Sequence, residues 1–253
     1  MGLARREELD FAAMTPERQA NIEIVSSAYA SMPGHKAYLT MPVTSGRRYY
    51  KVLDHHGVKT VAELEARKPG ALREDVILPN IAEANLLAER VAGRTALPLV
   101  VPGVFEARRQ RWTQEEYMCL WMRLIVGPIR EVHLSDGWEY SNGGAAEFAR
   151  AILIRFRCLD ERPGDMQVYD HLGDVMSLER GCSMLASAIE NLRRRGYGTD
   201  GLSRELGRLA GFAAMLLHED RATWKTHVAE PFDGRLAMLA ARRVGATMHY
   251  ALA

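Results

Sequence analysis

The sequence predicts an open α/β fold, a parallel sheet with helices on both faces in the flavodoxin or Rossmann manner, followed by an all-helical C-terminal extension. Three observations lead there. Short apolar runs with β-branched residues, such as 97–101 (LPLVV) and Ile129–Leu134 (IREVHL), alternate with longer stretches whose apolar residues recur every three or four positions. That alternation is the mark of strands laid parallel by helical crossovers. Turn residues stand where a strand hands over to a helix, at Asp136-Gly137 and from Ser141 to Gly144. Beyond residue 172 the strand-like runs stop and leucines repeat at helical spacing. The expected division is an N-terminal helical arm over 1–35, an α/β domain over 36–172 and a helical extension over 173–253.

Taken in order, Thr15 and Pro16 suit a helix start, with Ile22, Val25 and Tyr29 on one face, and Pro33-Gly34 ends the segment. Residues 37–41 (AYLTM) read as a first strand. Pro42 and the loop 43–50 (VTSGRRYY) follow. Thr44, Ser45 and Gly46 offer hydroxyls and open backbone, and Arg47-Arg48 two cations, a combination that can hold a phosphate. Residues 51–78 read as an insertion, helical over 61–66, with Val58 to Val61 either a short strand or a helix lead-in. His55-His56 lack a metal-ligand constellation and read as surface histidines. A helix is expected over 79–92 with Gly93 beyond it, then a buried strand over 97–101. Thr113 and Glu116 form a capping box for a helix to Val126, whose apolar stripe is Tyr117, Leu120, Trp121, Leu124 and Ile125.

The stretch 135–156 (SDGWEYSNGGAAEFARAILIRF) carries the candidate chemistry. Helical spacing begins at Ala145, with Phe148, Ala149, Ile152 and Phe156 on the same face. This start puts Glu147 within about one turn of the helix N-terminus, where the dipole favours an ionised carboxylate able to attack a carbon. A last strand is expected over 166–169. In the extension, Leu178, Cys182, Leu185, Ile189 and Leu192 make one stripe and Leu202, Leu206, Leu209, Ala213 and Leu216 a second, a helical hairpin with Arg193–Arg195 as a solvated helix end. Leu236, Leu239, Ala240 and Val244 suggest a third helix.

Composition narrows the function. The chain has 253 residues, 47% hydrophobic, with a net charge of +1. Near-neutral charge argues against a general nucleic-acid binder. No run spans a bilayer, and the charged N-terminus lacks the apolar core of a signal peptide. Cys119, Cys158 and Cys182 have no metal spacing and cannot all pair, so a reduced, cytoplasmic protein is expected. Nothing in the residue pattern calls for a metal or cofactor.

Trp138-Glu139, Ser141, Gly143 and Glu147 resemble the G-W-E-x-S-x-G-x-x-x-E signature of the nucleoside 2-deoxyribosyltransferase-like superfamily, most of all its phage and bacterial branch of small proteins. Tyr38, Leu39, Pro42, Val43, Thr44 and Gly46 are similar to its Y-[IL]-x-x-P-[MV]-T-x-G opening, with Met41 where Gly is usual. Trp112, Glu115, Glu116, Tyr117 and Met118 also resemble the family pattern. The resemblance covers roughly 36–170. It implies that Glu147 is the nucleophile at C1′ of a nucleoside sugar. It further implies that the Thr44, Ser45, Gly46 and Arg47 loop and the Ser141, Asn142 and Gly143 turn cradle a 5′-phosphate, with Trp138 and Glu139 beside the substrate. Where the family often has an Asp before the strand, Arg130 stands here, and Asp136 is the substitute carboxylate. Asp136, Glu139, Tyr49 and Tyr117 are candidates to protonate the leaving base, and Trp112 to stack on it. The implied reaction is N-glycosidic cleavage of a nucleoside 5′-monophosphate in a homo-oligomer. Base transfer, a dinucleotide substrate, or nucleotide binding without turnover remain open.

Overall fold

Four strands form one all-parallel sheet, and its order decides where a site can be built. The computed structural model describes residues 14–103, 112–156 and 166–218. The elements are α1 (Pro16–Ser31), β1 (Lys36–Thr40), α2 (Gly46–His55), α3 (Val61–Arg67), a π-helical stretch (Leu72–Ile77) running into α4 (Leu78–Ala92), and β2 (Leu99–Val100). There follow α5 (Gln114–Val126), β3 (Ile129–Leu134), a 3₁₀ turn (Trp138–Tyr140), α6 (Asn142–Arg155), β4 (Gln167–Tyr169), α7 (Leu178–Arg194) and α8 (Asp200–His218). Strand order is β2-β1-β3-β4. Backbone contacts divide the chain between Val175 and Met176 into two compact units.

In the first unit every residue of β1 is buried. Buried parallel strands read as continuous apolar runs because helices cover both faces. Lys36, at its start, is buried with its ammonium donating to the Met32 and Gly34 carbonyls, at 2.9 and 3.0 Å. Register sets Tyr38 beside Val100 on one side and Val132 on the other, and Val132 beside Val168. On the Tyr38 face lie α5, through Trp121 with ring centroids 6.1 Å apart, and α6. On the opposite face Leu39 packs with Ala84, Leu87 and Val91 of α4. The arm helix α1 lies on α5, with ion pairs Arg18–Glu116 and Arg123–Glu23.

Capping explains most boundaries. Thr113 accepts from the Glu116 N–H while Glu116 accepts from the Thr113 N–H at 2.6 Å, the reciprocal box expected for α5. Thr60 caps α3, so residues 58–60 are a helix lead-in. Strand β2 is shorter than the expected 97–101. Pro98 has no N–H to give, and only its carbonyl joins the sheet, accepting from Ala37. Gly93 follows α4 as expected and caps it with a right-handed φ of −78°. Helix α6 begins at Asn142, three residues before the expected Ala145, because Ser141 is already its N-cap.

In the second unit Leu178, Cys182, Leu185, Ile189 and Leu192 of α7, and Leu202, Leu206, Leu209 and Ala213 of α8, are all buried. The arginines at the end of α7 are tied into the turn: Arg193 donates to Thr199 and Ser203, and Arg195 lies over Tyr197. Burial pushes the Cys182 thiol up to about 12, and Cys119 is likewise raised. Cys158, and the third helix expected around Leu236–Val244, lie outside the described residues. No helix among the described residues is long and apolar enough to cross a membrane.

One buried group gives the stability a pH dependence. His133, on the α4 face of β3, stacks on Tyr169 at 5.0 Å and is 3.2 Å from Glu131. Burial holds the imidazole below its usual range, outweighing Glu131, which favours the charged form. The folded chain therefore prefers the neutral ring, while the unfolded chain takes up a proton near about pH 6.5. Stability is expected to fall as pH drops from about 6.5 toward the lower folded value. Thermal melts across that window should show a shallower slope for His133→Gln than for the wild type.

Candidate active site

The sheet reverses its winding between β1 and β3. From β1 the chain crosses to β2 on one side, and β3 lies on the other. In open α/β sheets ligands bind at the carboxyl ends of the strands flanking such a switch point. Here those ends are Thr40 and Leu134, and the loops that leave them lead into α2 and α6.

Glu147 lies on α6 over this edge, 6% exposed. It is the sixth residue of the helix, so it belongs to the second turn. The dipole acts mainly within the first turn and is not its chief support. Its direct partner is the Tyr38 phenol of β1, which donates to Oε1 at 2.7 Å. A hydrogen bond to a charged acceptor is among the stronger kinds. Strand pairing fixes Tyr38, which is fully buried, so the carboxylate is held from the sheet itself.

The two loops meet at their helix starts. Ser45, the N-cap of α2, donates its hydroxyl proton to Ser141 Oγ at 2.9 Å, and Ser141 Oγ in turn accepts from the Gly144 N–H. Gly46 takes φ of +85° with a Cβ position only 2.7 Å from the Pro42 side chain, so only glycine fits. Gly144 is restricted too. A Cβ there would lie 2.7 Å from the Trp138 carbonyl oxygen. Helix termini of this kind leave backbone N–H groups unpaired and favour anions.

Arg47 joins the first loop to the second. Its Nη2 donates to Glu139 Oε1 at 2.7 Å and its Nη1 to Asp136 Oδ2 at 3.2 Å, and its guanidinium lies 5.3 Å from the Tyr140 ring centre. Glu139 is 4% exposed, whereas the Asp136 side chain is 61% exposed. Arg48 turns the other way, to Asn80 and Glu83. Asn80, at the start of α4, donates to the Val43 and Ser45 carbonyls and so pins the loop 43–45. Helix α4 thus braces the candidate phosphate loop through Asn80.

Several expected site residues stand elsewhere. Trp138 is 1% exposed and packs on Phe148 at 4.6 Å, as core. Tyr117 is buried in an aromatic row, stacked on Trp121 at 6.4 Å with Trp112 tilted against it at 5.6 Å. Arg130 sits near the opposite end of β3, donating to the Gly127 and Ile129 carbonyls. Thr44 and Asn142 are exposed at the loop and helix start, and Gly143 lies near Met118. Trp112, expected to stack on the base, packs on Tyr117, and residues 104–111 before it lie outside the described residues.

Some of the buried polar atoms without a partner among the described residues lie at this edge, namely Thr40 Oγ1, Ser135 Oγ, Trp138 Nε1 and Glu139 Oε2. Such atoms are rare in folded proteins and mark functional or hydrated positions. Tyr38 and Asn80 are the residues that sequence reasoning missed as site residues. A phenol inside an otherwise apolar buried strand signals a hidden acceptor, because a buried tyrosine hydroxyl finds a partner. Asn80 gave no comparable signal.

Fold and site together define an open parallel α/β protein with a buried carboxylate at the switch point of its sheet. Comparison with protein-family models, curated proteins and solved structures found no match.

Proposed function

We propose that the protein cleaves the N-glycosidic bond of a nucleoside 5′-monophosphate, with deoxynucleotides the first class to test. The observation that carries this reading is the Glu147 carboxylate at the switch point, bonded to the Tyr38 phenol. The similarity of the Trp138–Glu147 stretch and the β1 loop to nucleoside 2-deoxyribosyltransferase-like proteins supports it. In the reaction, a Glu147 oxygen bonds to C1′ as the C1′–N bond breaks, and that bond's electron pair leaves with the base, which takes a proton from water as it departs. Water then attacks C1′ of the sugar ester, restores the carboxylate and loses a proton, releasing sugar phosphate. Negative charge beside C1′ suits the oxocarbenium character of both transition states. Ser45, Ser141 and the N–H groups at the start of α6 are the proposed phosphate ligands, with Arg47 supplying the positive charge.

The test is product analysis. Wild type and Glu147→Gln are incubated with ribo- and deoxynucleosides and their 5′-monophosphates, with and without an acceptor base, and free and exchanged bases are separated by chromatography. Base release by the wild type alone supports the reading, and a new nucleoside formed from the acceptor makes it a transferase. No release from any substrate overturns it and moves the weight to a nucleotide-binding role. Tyr38→Phe adds a positioning control. The expected result is kcat lower on the order of a hundredfold with KM nearly unchanged, as for loss of an interaction felt mainly in the transition state.

A further inference from the structure

We infer that Asp136 and Glu139 set the charge selectivity of this site by competing with the substrate's phosphate for Arg47, Asp136 being the arm that lets go. The inference rests on the proposed nucleotide reading and adds how the site distinguishes a monophosphate from the free nucleoside.

The two carboxylates hold the same guanidinium on unequal terms. Glu139 is buried and bonded at 2.7 Å, and its other oxygen already lacks a partner among the described residues. Removing Arg47 from it would leave a buried charge uncompensated, a costly state. Asp136 is largely in water, and its 3.2 Å contact is an exposed ion pair of the weak kind. Water and salt replace Arg47 on Asp136 at little cost. Nη1, the nitrogen pointing at Asp136, is therefore the one available to an incoming phosphate, while Nη2 stays on Glu139. Packing against Tyr140 keeps the guanidinium beside the turn that ends at Ser141 during that exchange.

The charges fix the direction. Arg47 carries one positive charge and the two carboxylates carry two negative ones, so the trio is net negative by one. An anionic substrate meets repulsion from Asp136 that a neutral nucleoside does not. Arg48 does not offset this, because Glu83 and Asn80 engage it. Asp136 thus lowers the advantage of the phosphorylated substrate. In this arrangement it is a specificity-determining residue that tunes Arg47.

The test is binding, read separately from turnover. Calorimetric affinities of one deoxynucleoside and its 5′-monophosphate are measured for wild type, Asp136→Asn, Arg47→Gln and the double variant at low salt. Asp136→Asn is expected to raise the ratio of monophosphate to nucleoside affinity by about two- to fivefold. The gain should shrink at about 1 M salt, where surface charges are screened. In the Arg47→Gln background the same replacement should raise the ratio less, because Arg47 transmits the competition. Binding of both ligands by the wild type with a ratio that Asp136→Asn leaves unmoved or lowers overturns the charge selection alone. An equal rise with and without Arg47 also overturns the competition for it. Absence of monophosphate binding overturns the nucleotide reading, and this inference with it.

Discussion

Replacing Glu147 by Gln is expected to lower base release on the order of a thousandfold or more, the scale on which loss of a covalent nucleophile is felt. The substitution keeps the size of the side chain and its carbonyl oxygen. The Tyr38 phenol can still donate to that oxygen, so the fold should hold. What disappears is the negative charge and the nucleophilic oxygen. Single-turnover measurement with the best substrate gives a sharp reading, because slow product release cannot mask a loss in the chemical step. A variant that retains more than about a tenth of wild-type release would remove Glu147 from the reaction. A variant that binds substrate as tightly as the wild type, yet releases no base, would locate the loss in chemistry.

The second large effect concerns stability. Trp138→Ala is expected to destabilise the first unit by about 3–5 kcal/mol, the range for emptying a buried aromatic site. Trp138 is 1% exposed and lies 4.6 Å from Phe148. Its backbone carbonyl also accepts from the Ser141 N–H, so it stands under the N-cap of α6. Melting should shift down by roughly 10 °C. This separates two roles for the indole. A core residue costs stability when removed. A ring that only faces substrate would cost affinity and leave the melting temperature within about 1 °C.

These expectations show which parts of the molecule were legible in the sequence. The strand, turn and helix around residues 129–156 were, since apolar period, turn residues and a capping serine all agree there. The helix start was misjudged by three residues for a definite reason. Asn142, Gly143 and Gly144 look like turn residues, yet they form the first turn of α6. Gly144 is there because a side chain would strike the Trp138 carbonyl, a contact that only the folded chain discloses. The tryptophan read as a substrate contact proved to be core, since an aromatic ring beside a signature motif serves either end equally well in one dimension. Arg47, Asp136 and Glu139 were each singled out, but nothing in their spacing showed that both carboxylates would pair with the one arginine. Asn80 as the brace of the loop was invisible for the same reason. Its contacts lie about 35 residues away along the chain, at 35 to Ser45 and 37 to Val43.

The Tyr38–Glu147 bond joins residues 109 apart. Everything between them must be made before the pair can form. During synthesis β1 emerges early, before the Glu147 carboxylate that its phenol will meet. The β1–β3 pairing and the docking of α6 are long-range events, and such contacts form slowly because a large loop must close first. A chain made only as far as α4 therefore lacks the acceptor of the Tyr38 phenol. The buried carboxylate–phenol pair therefore forms late and in one step, when α6 docks on β1.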